Sequence, residues 1–317
     1  MNFEFIPFSD ADISSITSPR EGETKLGQIV QSGLNNNAKY VLIGVCEDIG
    51  PQANYGSPGS KNAFIPAMTK LLNMQSNRIL SGKNLSIGGF VKQNCSFTNI
   101  AEARKLVEEL DLLLVEILEP IMKKGQIPIV IGGGHNNAFP LIKSYYFATN
   151  AKLEVVNLDP HADCRPLEGR HSGNPFSYAQ KNGYLSNYTV LGLHSAYNSE
   201  TMLNYLNEND FYYSYFEEYL IRPEKLDSDI QSICIRSHKP FGLELDLDAL
   251  KLFPASAYTP SGFSIELARK YIMKLASSQR KPAYLHLPEG APLNEFDEKI
   301  TGKAIAYLIH DFLAAYK

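Results

Sequence analysis

Several things this chain lacks narrow its function before any motif is read. It has only four cysteines (Cys46, Cys95, Cys164, Cys234), widely spread and without C-x-x-C spacing. Neither a thiolate zinc site nor a disulfide framework is therefore indicated, and a reducing cytoplasm is the expected compartment. No apolar run approaches the ~18 residues of a membrane span. The start, MNFEFIPFSDADISS, has no basic region followed by an apolar one, so neither leader nor anchor is expected. A basic excess is missing too: 30 Lys and Arg stand against 34 Asp and Glu, which argues against nucleic acid or an anionic membrane as partner. The phosphate-cradling pattern G-x-x-x-x-G-K-[ST] does not occur.

What is present describes a globular chain, 44% hydrophobic and 20% charged. A length of 317 residues is enough for one large core, and a single domain over 1–317 is the expectation. Short apolar runs recur: KYVLIGV (39–45), IPIVIGG (127–133), KLEVVNLD (152–159), YTVLGL (188–193), FGLELDLD (241–248) and AYLHLP (283–288). Several are apolar at consecutive positions, as strands covered on both faces are. Helical periodicity appears at 100–124, where two lysines precede Gly125, and again at 264–278 and 303–317. Strands alternating with helices predict an α/β fold with a parallel sheet covered on both sides. Long loops follow strands at 46–64 and 166–176, where open α/β sheets bind ligands.

Three strand ends carry chemistry. In VVNLDPHADCR (155–165), Asp159, His161 and Asp163 stand at every second position, and an extended chain through Pro160 would bring them to one side. LELDLDAL repeats that spacing with Asp246 and Asp248, and two carboxylates so placed repel each other unless a cation or proton lies between them. VIGGGHNN runs from a strand through three glycines to His135, which permits close backbone approach. Carboxylate oxygens with imidazole suit a divalent ion such as manganese or zinc. Two histidines and four aspartates are too many for one ion, whereas two ions sharing carboxylates use them all, so the count favours a dinuclear centre.

These motifs, in this order across 132–248, resemble those of the ureohydrolases, the family of arginase, agmatinase and formimidoylglutamase. Weaker similarity extends to GPQANYGSPG near the start and YTPSGFS at 258–264. The resemblance implies an arginase-like three-layer α/β/α fold with a central, mostly parallel sheet of about eight strands. It implies two manganese ions per chain, one held by His135, Asp159, Asp163 and Asp246 and the other by Asp159, His161, Asp246 and Asp248, with Asp159 and Asp246 bridging. It also implies His171 as a proton-shuttling histidine and Glu289 as a carboxylate near the leaving end of the substrate. A hydroxide bridging the ions would attack the carbon of a linear amidine or guanidine, and the family tends to form trimers or hexamers.

Substrate charge separates the members. DPHADCR and HSGNPFSY resemble the formimidoylglutamase versions of these motifs, with Arg165 placed to grip a carboxylate bidentately and Arg170 as a second cation. Asn174 lies in the same run and is a further candidate substrate contact. The expected reaction is hydrolysis of N-formimidoyl-L-glutamate to glutamate and formamide, a step of histidine degradation. Release of urea from arginine or agmatine is the alternative. Gly134 favours the first, while Asn136, Pro160 and His171 depart from its usual pattern. A single-zinc deacetylase would leave His135, Asp163 and Asp248 with less to do, and a non-catalytic scaffold would require ligands to be lost. His194, His238, His286 and His310 are read as ordinary surface or core histidines.

Overall fold

The apolar runs become strands of one sheet because both of its faces are covered. The computed structural model describes residues 1–34, 36–236 and 239–316. Its strands are β1 (Phe3–Pro7), β2 (Gln31–Ser32), β3 (Tyr40–Cys46), β4 (Leu85–Gln93), β5 (Ile127–Ile131), β6 (Leu153–Leu158), β7 (Leu185–Leu193), β8 (Tyr212–Tyr215), β9 (Phe241–Leu245) and β10 (Pro282–Leu287). Their spatial order is β1-β4-β3-β5-β10-β9-β6-β7-β8, with β2 attached to β4. Eight strands, from β4 across to β8, run parallel, and among the named strands of the described residues β1 pairs antiparallel, on β4. That is the expected arginase-like sheet of about eight strands, extended by β1 and the two-residue β2. Those two, with β4 and β8, have no counterpart among the six apolar runs.

Helices cover both faces. Helices Phe64–Leu71, Ile265–Ser277 and Glu295–Ala315 bury Phe64, Tyr271 and Leu308 against one face. Helices Ile100–Lys123, Ala138–Thr149 and Pro175–Lys181 bury Leu110, Leu141 and Phe176 against the other. The three-layer arrangement follows, and the all-apolar β5, buried at every residue, reflects it. Helix Ile100–Lys123 begins where the Asn99 side chain accepts from the Glu102 amide and ends at Gly125, whose φ of 73° closes the turn. The last helix starts at Glu295 rather than Lys303, because the Asn294 side chain accepts from the Phe296 and Asp297 amides and an acidic first turn follows.

One buried ion pair ties this frame to a functional loop. Asp111, in the middle of helix Ile100–Lys123, accepts from Arg170 Nε at 2.8 Å. The same guanidinium donates to the Asn136 carbonyl at 2.8 Å and to Asn174 Oδ1 at 2.7 Å, and it lies 4.7 Å from the centre of the Phe139 ring. Arg170 is thus spent on structure and does not serve a substrate, contrary to its reading as a second cation. Removing one partner of a buried pair leaves the other uncompensated. Asp111→Ala should therefore lower the stability of the protein by about 3–5 kcal/mol, read as a reduced midpoint in guanidinium unfolding.

Candidate metal centre

The candidate residues lie at the carboxyl ends of five adjacent strands, β3, β5, β10, β9 and β6. Glu47 follows β3, His135 follows β5, Glu289 follows β10, Asp246 and Asp248 follow β9, and Asp159, His161 and Asp163 follow β6. The glycines after β5 permit the approach. Gly132 and Gly133 have φ of 81° and 68°, and a Cβ on Gly133 would lie 2.8 Å from Glu47 Oε1 and 2.3 Å from Asn137 Nδ2. Buried Glu47 accepts from the amides of Gly50 and Gly134 and from the side chains of Asn136 and Asn137. Those bonds fold the Gly-rich turn around a single carboxylate and aim His135 inward.

His135 Nδ1 lies 3.1 Å from Asp159 Oδ2, 3.0 Å from Asp163 Oδ2 and 2.9 Å from Asp246 Oδ2. Beside it, His161 Nδ1 is 3.1 Å from Asp248 Oδ2 and 3.6 Å from Asp159 Oδ1. The donors form two groups, His135–Asp159–Asp163–Asp246 and Asp159–His161–Asp248, which share Asp159. Asp246 belongs to the first group and not to the second, so only Asp159 stands in the bridging place expected of both. Its conformation is fixed locally: Oδ2 accepts from Asn157 Nδ2 at 2.8 Å and Oδ1 from the His161 amide at 2.6 Å.

The convergence does not arise from strand alternation. β6 ends at Leu158 and β9 at Leu245, before the first aspartate of each motif. Asp163 reaches the site from a left-handed conformation, φ 49°. Asp246 caps a short 3-10 turn, Leu247–Ala249, which sends Asp248 to the other donor group. The same-side expectation for an extended chain through Pro160 is thus replaced by loop geometry.

The donor chemistry fits divalent cations. An imidazole nitrogen carries at most one proton, yet His135 Nδ1 faces three carboxylate oxygens and makes no hydrogen bond with any of them. Burial, then the charges of Asp248 and Asp159, push Asp246 well above the usual carboxylate range. Burial likewise raises Asp163, and it pushes Asp248 up to about 6. A cation in each group relieves repulsion that protons must otherwise absorb. Behind His135, Glu244 Oε2 lies 3.4 Å from Nε2 and 2.5 Å from His286 Nδ1, while the Tyr284 hydroxyl donates to Glu244 Oε1 at 2.6 Å. A carboxylate backing a ligating histidine fixes its ring and raises its basicity.

A cavity of about 340 Å³ opens over these groups, with His161, Asp163, Asp246, Asp248, Glu289 and Arg165 in its wall. Arg165 is exposed at the rim, and among the described residues its side chain has no hydrogen bond or ion pair. Glu168, a neighbour able to neutralise it, pairs with Arg104 instead. Glu289 Oε1 accepts from the His135 amide at 2.7 Å, and Oε2 accepts from the Ser256 hydroxyl. Burial, then the charge of Asp246, pushes the Glu289 carboxyl up to about 8.

Two expected site residues lie elsewhere. His171 is buried off the cavity: its Nδ1 accepts from the Gly173 amide at 3.1 Å, which leaves its proton on Nε2 facing Glu168 at 3.2 Å. Burial, with Arg104 nearby, lowers its pKa to about 4, and the adjacent Ser172 takes the place at the wall. Asn174 is also fully buried, its oxygen accepting from Arg170 and the His171 amide and its Nδ2 donating to Gly169 O at 2.8 Å. No group of Asn174 is left for a substrate. Glu47, Glu244 and His286 form the support of the site and were not legible from spacing; the local sign is Glu244 inside the otherwise apolar β9, while Glu47 comes just after β3 beside Asp48. His238 lies outside the described residues.

Fold and site together define a metal-dependent amidinohydrolase. The chain belongs to the arginase family, whose family model matches residues 28–315. A formimidoylglutamase from Staphylococcus haemolyticus is 23% identical, covering 98% of this chain and 92% of the relative. Another from Geobacillus thermodenitrificans is 26% identical over 86% of this chain and 83% of its own. Among solved structures, the formimidoylglutamase of Bacillus subtilis superposes with a TM-score of 0.78 at 18% identity, covering 93% of this chain and 92% of that one. Trypanosoma cruzi formiminoglutamase with Mn2+2 gives 0.76 at 21% identity, covering 93% and 98%.

A cation entering these groups must displace protons held by His135, His161 and Asp248, whose pKa values all lie above their ordinary ones. Divalent-metal binding should therefore release protons and tighten as pH rises through about 6, the value to which Asp248 is pushed. Titration calorimetry in two buffers of different ionisation enthalpy measures that release directly.

Proposed function

We propose that this chain hydrolyses N-formimidoyl-L-glutamate to L-glutamate and formamide, using two manganese ions held by His135, Asp159, Asp163, Asp246, His161 and Asp248. The whole chain, 1–317, would act as one catalytic domain in the cytoplasm, in a trimer or hexamer as the family resemblance implies. The observation that carries the choice of substrate is Arg165, a guanidinium without a partner among the described residues, exposed at a cavity whose wall also carries Asp163, Asp246, Asp248 and Glu289. With the reacting carbon turned to the floor, the far end of the substrate meets Arg165: the carboxylates of the glutamate end can pair with it bidentately, whereas agmatine has none to offer. The curated relatives named formimidoylglutamase agree with this reading.

Two metal ions held by His135, Asp159, Asp163, Asp246, His161 and Asp248 would supply Lewis acidity able to bring the pKa of water from 15.7 down to about 7, giving a nucleophile at neutral pH. The residues do the rest by position. Arg165 holds the glutamate end at the rim and so turns the amidine carbon towards the floor. Glu289, fixed by the His135 amide and the Ser256 hydroxyl, faces the amidine nitrogens and hands a proton to the departing amino group. The bond between the formimidoyl carbon and the glutamate nitrogen breaks, the carbon keeps the oxygen from water, and formamide leaves with the second nitrogen. His171 contributes by bracing the loop that carries Ser172.

The test is a panel of amidines and guanidines on manganese-loaded protein, assayed for formamide, urea and ammonia. Formamide from formimidoylglutamate, with no urea from arginine or agmatine, is expected; urea from either, with formimidoylglutamate untouched, overturns the assignment. Arg165→Ala should raise KM about 10–100-fold with kcat little changed, the loss of a charged hydrogen-bond pair. Glu289→Gln should lower kcat by about 100-fold or more, as expected when a proton donor is removed.

A further inference from the structure

The two histidines at the centre are supported in different ways. His135 has the buried Glu244 carboxylate 3.4 Å behind its second nitrogen, where a carboxylate orients a ligating imidazole. His161 has none: among the described residues its ring makes no hydrogen bond outside the donor group, and it comes from a loop with about a third of its side chain exposed. Its ring instead lies on Tyr197, centroids 5.5 Å apart and planes 20° apart.

Tyr197 in turn stacks on His194 at 4.8 Å and 12°, and His194 on buried Phe216 at 4.9 Å and 11°. Phe216 meets buried Phe263 edge to face at 5.0 Å. A column of rings therefore runs from the core beside β7 to the imidazole of His161. The backbone is clasped from the same loop: buried Asn198 accepts from the Ala162 amide at 2.8 Å and donates to the Pro160 carbonyl at 2.9 Å, and the His194 amide donates to that carbonyl at 3.0 Å. Pro160 and Ala162 flank His161, so the segment after β7 holds its backbone through Asn198 and its ring through Tyr197.

We infer that Tyr197 is a positioning residue for the outer metal of the pair: its ring face, anchored through His194 and Phe216, replaces the hydrogen bond that His161 lacks. The inference rests on the two-metal reading above. Offset-stacked rings are favourable at these spacings, and the face of Tyr197, not its hydroxyl, is the contacting surface. Tyr197 is itself 45% exposed, so shortening it removes the stack without opening the core.

The test is titration of metal-free protein with Mn2+ alone, followed by calorimetry and by electron paramagnetic resonance. Wild-type protein is expected to bind two ions and to develop the signal of an exchange-coupled pair. Tyr197→Ala should weaken one ion by about 10–100-fold, the usual cost of losing a ligand's support, and leave the other unchanged. At two equivalents of Mn2+ its spectrum should then be that of an uncoupled ion, and the coupled signal should return at excess metal. Tyr197→Phe and His194→Phe keep the rings and should bind as wild type. Two tight ions in Tyr197→Ala, equal weakening of both ions, or a Tyr197→Phe variant as weak as Tyr197→Ala each overturn the inference. A wild-type protein that binds one ion overturns the two-metal reading on which it rests, a result distinguishable from the other three because it needs no variant.

Discussion

Four aspartates meet beside two histidines at the ends of three strands, and most of the surrounding structure follows from holding them there. Buried carboxylates at these distances repel one another, and without cations the only relief is protonation, visible in the raised pKa values of Asp163, Asp246 and Asp248. Cations remove the conflict and turn an unfavourable cluster into a binding site. The backbone must bring the groups together before any cation arrives. The fold does this by ending five parallel strands side by side and by spending glycine conformations, the Glu47 carboxylate and the Asp111–Arg170 pair on the connecting loops.

The two halves of the centre differ in how firmly they are held. The His135 half is enclosed, with Glu244, His286 and Tyr284 arranged behind it in one hydrogen-bonded group. The His161 half faces the cavity and depends on a loop, on Asn198 and on a ring stack. An inner site fixed by buried charge and an outer one fixed by packing should respond differently to loop motion. Arg165 stands in the wall of the same cavity. Selection of the substrate and support of the outer ion are thus assigned to neighbouring loops.

Much of this was legible from residue order. Consecutive apolar positions identified the central strands, because burial on both faces removes alternation. The edge strands escaped: β1, β2 and β8 carry polar or aromatic residues on faces only partly covered. The six candidate donors were readable because few residue types ligate metals and their spacing is tight. Their geometry was not, since Asp163 depends on a left-handed backbone and Asp248 on a 3-10 turn. His171 sits one residue from Ser172, which faces the cavity, and Asn174 is the N-cap residue of helix Pro175–Lys181; in a loop no periodicity says which side chain turns inward. Glu47, Glu244 and His286 act through contacts between distant segments, with |i−j| of 87 for Glu47 to Gly134 and 42 for Glu244 to His286, which spacing along the chain does not reveal.

The central claim is that these six side chains hold two metal ions with Asp159 between them. Anomalous diffraction from crystals grown with manganese, collected on both sides of the manganese absorption edge, tests it most directly. The account predicts two peaks, one among His135, Asp159, Asp163 and Asp246 and one among Asp159, His161 and Asp248. A single peak, or a peak away from these residues, would contradict it.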